Sequence, residues 1–337
     1  MDSTALARFL DEAIGDSVPI DVRPMAGGGS CEIFAVDRGE NRWVLRRAPR
    51  HSSSATAHDV LREFRILDAI KDSRVPIARP VLSCGNPDVF GAPFYVMART
   101  DGLPVRSSIP PAWADVPETH GRALEEMIDA LAAIHALDWR DHGLADLSPK
   151  PNYLANQIER WMKQLDSYVG RHLPPAHAAA DWLMSHRPQH HDLTLCHGDY
   201  KLDNLLFDAA PPPRLLAVVD WEMAAIGDPL VDLAWTLIFH PGPEGTMPLG
   251  RAKEPSFKPD GLPDRRKLIE RYASATGRDT GAMPWYDVFA RWKLAIVLEG
   301  SYAKYLRGLS DKPIHEFFGS QVDLLLSSAG DIIEAMA

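Results

Sequence analysis

The chain has 337 residues, 45% of them hydrophobic and 24% charged, with a net charge of -10 at pH 7. That length can bury a large core, as one two-lobed unit or as two domains. The acidic balance and the dispersed Lys and Arg argue against a nucleic-acid partner, which would need basic patches. Three distant cysteines (Cys31, Cys84, Cys196) fit neither a disulfide framework nor a zinc pattern, so a reducing, cytoplasmic setting is expected.

The N-terminus carries Asp2, Asp11, Glu12 and Asp16 in place of a signal peptide's basic start. No stretch approaches the roughly 18 uninterrupted apolar residues of a membrane span, so no membrane partner is expected. Apolar spacing at Leu6, Phe9, Leu10 and Ile14 predicts a helix over 4–14. Gly27-Gly28-Gly29-Ser30 is a Gly-rich turn leading into the strand Cys31 to Val36. Its backbone amides could approach phosphate oxygens, since glycine puts no side chain in the way. The spacing matches neither a Walker loop nor a dinucleotide fingerprint, and a plain hairpin loop would read the same. Trp43 to Arg47 is a strand with Val44 and Arg46 on one face and Leu45 and Arg47 on the other. Residues 57–70 read as a helix through Val60, Leu61, Phe64, Leu67 and Ile70, with Glu63 among them. Another strand runs from Pro93 to Arg99.

From residue 103 prolines break a polar stretch, and long helices follow. They are expected at 118–137, 153–168, 176–185, 265–276, 285–306 and 315–336. His135, on the first of these, reads as a core histidine. His190-His191-Asp192 reads as a solvated turn. Asp228-Pro229 has the N-cap and first-turn chemistry of a helix start, and Asp232 lies in that first turn. The Pro- and Gly-rich connection at 241–264 is long enough to be functional, and it is expected to flank an acceptor site. Trp292, Glu299 and Tyr302 border that site or pack between helices, and packing is the simpler expectation.

The chain is organised around Cys196-His197-Gly198-Asp199-Tyr200-Lys201-Leu202-Asp203-Asn204, followed later by Asp220-Trp221-Glu222. Phosphoryl transfer needs a carboxylate to orient the attacking hydroxyl and oxygen ligands for magnesium. Asp199 with Asn204 five residues on can supply both from one loop. Asp220 closes an apolar hairpin formed by Leu205-Leu206-Phe207 and the run from Leu216 to Val219, which would bring a second acid to the same place. A polar turn between apolar runs accounts for any one of these residues but not for the constellation.

The pattern His197-Gly-Asp199-x-x-x-x-Asn204, then Val-Val-Asp220-Trp-Glu, resembles the aminoglycoside phosphotransferase family. It is most similar to the branch of small-molecule phosphotransferases related to a domain fused to some acyl-CoA dehydrogenases. The resemblance covers nearly the whole chain and implies an α+β, protein-kinase-like two-lobed fold. A small antiparallel-sheet N-lobe (1–99) would bind nucleotide, and a larger, mainly helical C-lobe (100–337) would hold the catalytic loop and the acceptor. The implied activity is Mg2+-dependent transfer of the γ-phosphoryl group of ATP to a small-molecule hydroxyl. By that resemblance Asp199 is the catalytic Asp, Lys201 contacts phosphate, Asn204 and Asp220 hold magnesium, and His197 and Asp232 support the loop. Gly28, Gly29 and Ser30 would lie over the phosphates. Arg46 would replace the family's strand Lys, with Arg47 as the alternative, and Glu63 would pair it. Val44, Met97 and the backbone near Ala98 and Arg99 would frame the adenine. Residues 240–337 hold equal numbers of acidic and basic residues, so the acidic pocket a polycationic aminoglycoside would want is not visible.

Overall fold

The computed structural model describes residues 3–25, 31–49, 59–105, 109–116, 118–149, 151–189, 192–241, 257 and 261–337. Gly28, Gly29 and Ser30, the pair His190-His191 and most of 241–264 therefore lie outside the described residues.

After helix α1 (Thr4–Ile14) come strands β1 (Ile20–Pro24), β2 (Glu32–Arg38) and β3 (Asn41–Arg47). Helix α2 (Val60–Ile70), strand β4 (Pro80–Cys84), the short α3 (Pro87–Phe90) and strand β5 (Phe94–Ala98) follow. The strands form an antiparallel sheet in the order β1-β2-β3-β5-β4. Strand β1 was not expected. Its charged residues Asp21 and Arg23 alternate along an exposed edge strand, which hides the apolar signal. Helix α2 begins at Val60, where the Asp59 carboxylate caps it, accepting the Arg62 N–H at 3.0 Å; residues 57 and 58 of the expected helix lie outside the described residues.

The two faces of the sheet do different work. Leu45, Phe94 and Val96 point to one side, where Leu6 and Leu10 of α1 and Phe90 of α3 complete a small apolar core. Edge-to-face contacts of Phe90 with Phe34 and Phe94 order it. The opposite face carries Val44, Arg46, Tyr95 and Met97, placed together by the pairings Val44 to Met97 and Arg46 to Tyr95. That face belongs to the core of the helical part and to the cleft between the two parts.

The helical part holds α4 (Glu118–His135), α5 (Tyr153–Asp166), α6 (Pro174–Ser185), α7 (Pro229–Leu237), α8 (Arg265–Thr276), α9 (Met283–Leu306) and α10 (Pro313–Met336). The expected helices are present, with ends shifted by a few residues. Between them lie short strands. β6 (Leu103–Pro104), β8 (Leu205–Phe207) and β9 (Leu215–Val218) make a three-stranded sheet, and β7 (Thr194–Cys196) pairs with β10 (Ala225–Gly227). The hairpin read from the sequence is thus β8–β9. It is tied back to the first sheet's side by the Val218 N–H, which donates to the Pro76 carbonyl at 2.8 Å. Gly102, just past β5, packs against the hairpin where a Cβ would lie 2.9 Å from Leu206 Cβ. Among the described residues no helix is long and apolar enough to cross a membrane.

Candidate active site

The loop after β7 is held from below by α7. Asp228 caps that helix through the Leu230 N–H at 2.9 Å, which fixes where Asp232 in its first turn points. The Asp232 carboxylate accepts the backbone N–H of His197 at 2.6 Å and of Gly198 at 2.9 Å. Burial opposes its ionisation, but the His135 hydrogen bond, electrostatic interaction with the His135 and His197 rings and the His197 amide together hold its pKa below the usual value. His197 is fully buried, with Nε2 3.0 Å from the Val219 carbonyl, and so joins the loop to the strand end before Asp220. Burial holds its imidazole below the ordinary range. Gly198 has φ 85, and a Cβ there would sit 2.5 Å from the Met223 carbonyl oxygen, so only glycine lets the loop and the Asp220 turn approach this closely.

Asp199 is held on several sides. Lys201 Nζ lies 3.0 and 2.8 Å from its two oxygens. Asn204 Nδ2 donates to its backbone carbonyl at 2.9 Å and to Oδ2 at 3.1 Å. The Trp235 indole N–H donates to Oδ1 at 3.1 Å. No motif in the sequence singles out Trp235. It lies on α7 and meets Asp199 through tertiary folding, so no local spacing signals it.

The second acid sits on the far side of the loop. The Val219 N–H donates to the Asn204 carbonyl at 2.9 Å, which sets Asp220 beside the loop that carries Asp199. Asp220 has φ 68 and ψ 58, a left-handed conformation that costs a non-glycine residue energy and that Asp tolerates better than most. Its Oδ1 accepts a hydrogen bond from Arg46 Nη2 at 2.9 Å. Arg46 Nε lies 3.3 Å from Glu63 Oε2 without hydrogen-bond alignment, and Nη2 lies 3.9 Å from Glu222 Oε2. Glu63 is 1% exposed, and its Oε1 accepts the Trp221 N–H at 3.0 Å. Burial pushes the Glu63 carboxyl up to about 7, with the Arg46 charge opposing that rise. Arg62 adds a second tie from α2, donating to the Glu222 carbonyl at 3.4 Å and to the Ala224 carbonyl. Helix α2 thus fixes the turn that carries Asp220.

Strand alternation separates the two arginines. Arg47 points to the apolar face, where it pairs with Glu32 at 2.9 Å, donates to the Phe90 carbonyl at 2.6 Å and stacks on Phe34 and Phe90. Arg46 faces a cavity of about 500 Å³ between the sheet and the helical part, lined also by Val44, Met97, Ala98, Arg99 and Val219. The amides of Ala98 and Arg99 already donate to the carbonyls of Arg79 and Arg42, at 2.8 and 2.9 Å. Of the backbone expected to meet adenine, these two donors are therefore taken. Trp292, Glu299 and Tyr302 serve packing. The Trp292 indole N–H donates to the Ala176 carbonyl, Glu299 pairs with Arg171, and Arg171 stacks on Tyr302.

The oxygens gathered here suit a hard divalent cation. Asn204 spends its amide N–H groups on Asp199, which leaves its Oδ1 as an acceptor, and the carboxylates of Asp220 and Glu222 both lie near Arg46. A second group, His135, Cys196 and Asp232, has ligand atoms within 4.8 Å of one another. It is fully buried, its Asp oxygens already serve the backbone of His197 and Gly198, and its imidazole meets the Tyr272 hydroxyl at 2.7 Å. Those bonds describe a structural support.

Solved structures of known fold resemble this one. The fold matches a candidate aminoglycoside phosphotransferase of Ralstonia eutropha with TM-score 0.85 and 28% identity, over 99% of this chain and 98% of that one. It also matches an aminoglycoside phosphotransferase in a ternary complex with AMP-PNP and hygromycin B, with TM-score 0.62 over 96% of this chain and 98% of that one. At 19% identity, that second likeness speaks for the fold alone. The chain has the kinase-like, two-lobed α+β fold. It belongs to the Phosphotransferase enzyme family, whose model matches residues 21–269. Among curated proteins it is 32% identical to acyl-CoA dehydrogenase family member 11 of Gallus gallus over 88% of this chain but only 38% of that protein. The chain thus spans well under half the length of the curated relatives it matches.

Proposed function

We propose that this protein transfers the γ-phosphoryl group of ATP to the hydroxyl of a small molecule. The observation that carries the reading is Asp199, oriented by Lys201, Asn204 and Trp235, in a loop whose Asn204 is hydrogen-bonded to the residue before Asp220. On this reading residues 1–99 form the nucleotide lobe and 100–337 the catalytic and acceptor lobe. The adenine lies in the cavity between Val44 and Met97, against the backbone carbonyls of Ala98 and Arg99. Gly28, Gly29 and Ser30 cover the phosphates.

Asp199 accepts a hydrogen bond from the acceptor hydroxyl and aims its oxygen at the γ-phosphorus. The bond from that oxygen to phosphorus forms as the bond to the β–γ bridging oxygen breaks, the hydroxyl proton passes to Asp199, and ADP leaves. Lys201 and Arg46 meet phosphate oxygens. His197 and Asp232 hold the loop in place while charge moves. Asn204 and Asp220 would hold magnesium, which supplies charge neutralisation between the phosphates when bound. Rate enhancement then comes from positioning and fixed charge.

The test is ADP release from Mg-ATP across aminoglycosides, macrolides, sugars, amino alcohols and hydroxyacyl compounds, with Asp199→Ala as control. Acceptor-dependent release that the control lacks supports the reading, and release that the control retains removes Asp199 from it. A second reading, a nucleotide-binding module without turnover, draws on the Arg46–Asp220 ion pair, which occupies an oxygen needed for metal. Mg-ATP binding with no acceptor-dependent release from any compound, unchanged in Asp199→Ala, favours that alternative.

A further inference from the structure

Most cations that are part-buried in this protein have a carboxylate. Arg38 has Asp11, Arg46 has Asp220, Arg171 has Glu299, and Arg271 has Asp129. Lys293 on α9 is an exception. Among the described residues no carboxylate lies within salt-bridge distance of it. Its ammonium rests instead on the Trp235 ring, 4.2 Å from the centroid, and 5.6 Å from the Trp161 centroid. Trp235 is the residue whose indole N–H holds Asp199, so the ammonium sits one ring away from the catalytic carboxylate. Arg160 on α5 stacks on the same Trp161 at 5.0 Å, and it too has no carboxylate within salt-bridge distance among the described residues. The Trp161 indole nitrogen is buried with no hydrogen-bond partner among those residues.

Two indole faces, a part-buried ammonium without an ion-pair partner among the described residues and an unused N–H donor follow one another from the Trp235 ring, which itself holds the group proposed to receive the acceptor hydroxyl. Indole faces hold cations weakly compared with an anion. Burial pulls Lys293 down to about 8, the charge of Asp232 opposing, so the protein pays to keep this ammonium where it is. An anionic group brought in by a ligand would relieve that strain. A polycation would meet repulsion in the same place.

We infer that Lys293 selects the acceptor, and that it selects an alcohol carrying its own anionic group, a carboxylate or a phosphate, placed against Trp235 and Trp161 while the hydroxyl faces Asp199. The inference rests on the phosphotransferase reading of the site and narrows its substrate class.

The test measures binding to the Mg-ADP complex by calorimetry, so it does not depend on turnover. The probes are four alcohols of matched length: 1,3-propanediol, 3-hydroxypropanoate, 3-hydroxypropyl phosphate and 3-amino-1-propanol. At least one anionic probe is expected to bind about tenfold or more tighter than the diol, and the amino alcohol more weakly than either. Lys293→Met, which keeps the length of the side chain, should bring the anionic probes down to the level of the diol. Lys293→Arg should retain most of the preference. Equal binding of diol and anions, tighter binding of the amino alcohol, no binding of any probe, or a preference unchanged in Lys293→Met overturns the assignment. ADP release in the same mixtures tests the transfer reaction separately. Anion-selective binding without release would leave the selectivity standing and sink the transfer reading.

Discussion

Arg46 Nη2 lies 2.9 Å from Asp220 Oδ1, joining the middle of the five-stranded sheet to the turn beyond the β8–β9 hairpin. With Glu63 behind it, Arg46 is a buried cation between two acids from different parts of the chain. Removing one partner of such a group leaves the other charge stranded, typically at about 3–5 kcal/mol. Arg46→Met should therefore lower the melting temperature by several degrees. Arg46→Met combined with Glu63→Gln should recover part of the loss, since a neutral amide needs no counter-ion. Thermal melts of the three proteins decide this, and a double variant no more stable than the single would show that Glu63 does not depend on Arg46.

Asp220 Oδ1 accepts a hydrogen bond from Arg46, and on the proposed reading the same carboxylate would hold magnesium. Asp220→Ala should weaken Mg-ADP binding by at least about tenfold, and binding of ADP with excess chelator should change little. Titration calorimetry with and without magnesium separates the two. Equal losses in both conditions would mean that Asp220 serves the fold rather than the metal.

The Trp235 indole N–H to Asp199 is a hydrogen bond to a charged group, worth about 1.5–3 kcal/mol where it holds a geometry. Trp235→Phe keeps the apolar ring and deletes that donor. The expected result is a fall in kcat of about tenfold to a hundredfold with KM for ATP little changed. Steady-state kinetics on any acceptor that turns over checks it, and a loss confined to KM would refute the positioning role.

Local pattern and tertiary contact explain what could be read in advance. The loop and hairpin were legible because the spacing of Asp199, Asn204 and Asp220 is a property of one short segment. The helices were legible because α4, α5 and α9 repeat apolar residues every turn. Strand alternation put Arg46 and Arg47 on opposite faces, and the faces then differ as expected, Arg47 packing on Phe34 and Phe90. Trp235, Lys293, Trp161 and Arg62 were not legible as site residues. Each acts on a partner far away in sequence, and in its own helix each looks like an ordinary apolar or solvated position. The close approach of Gly198 to Met223 is of the same kind, since nothing near either residue announces the other.

The support beneath the catalytic loop gives the protein an acid-sensitive element. Burial holds His135 and His197 below the ordinary histidine value of 6.5, so both stay neutral in the fold and would take up protons on unfolding in acid. Depressed folded pKa values mean stability that is present above pH 6.5 and lost as pH falls below it. Asp232 acts in the same direction further down, since its pKa is held below 3.8. Stability measured by urea unfolding should thus be nearly flat from pH 8 to about 7 and fall below that, each histidine contributing up to about 1.4 kcal/mol per pH unit. His135→Gln, which can still hydrogen-bond Tyr272 and Asp232 but does not titrate, should reduce that slope. An acid slope identical in wild type and His135→Gln would place the sensitivity in another group, with His197, alone among the two, left to account for it.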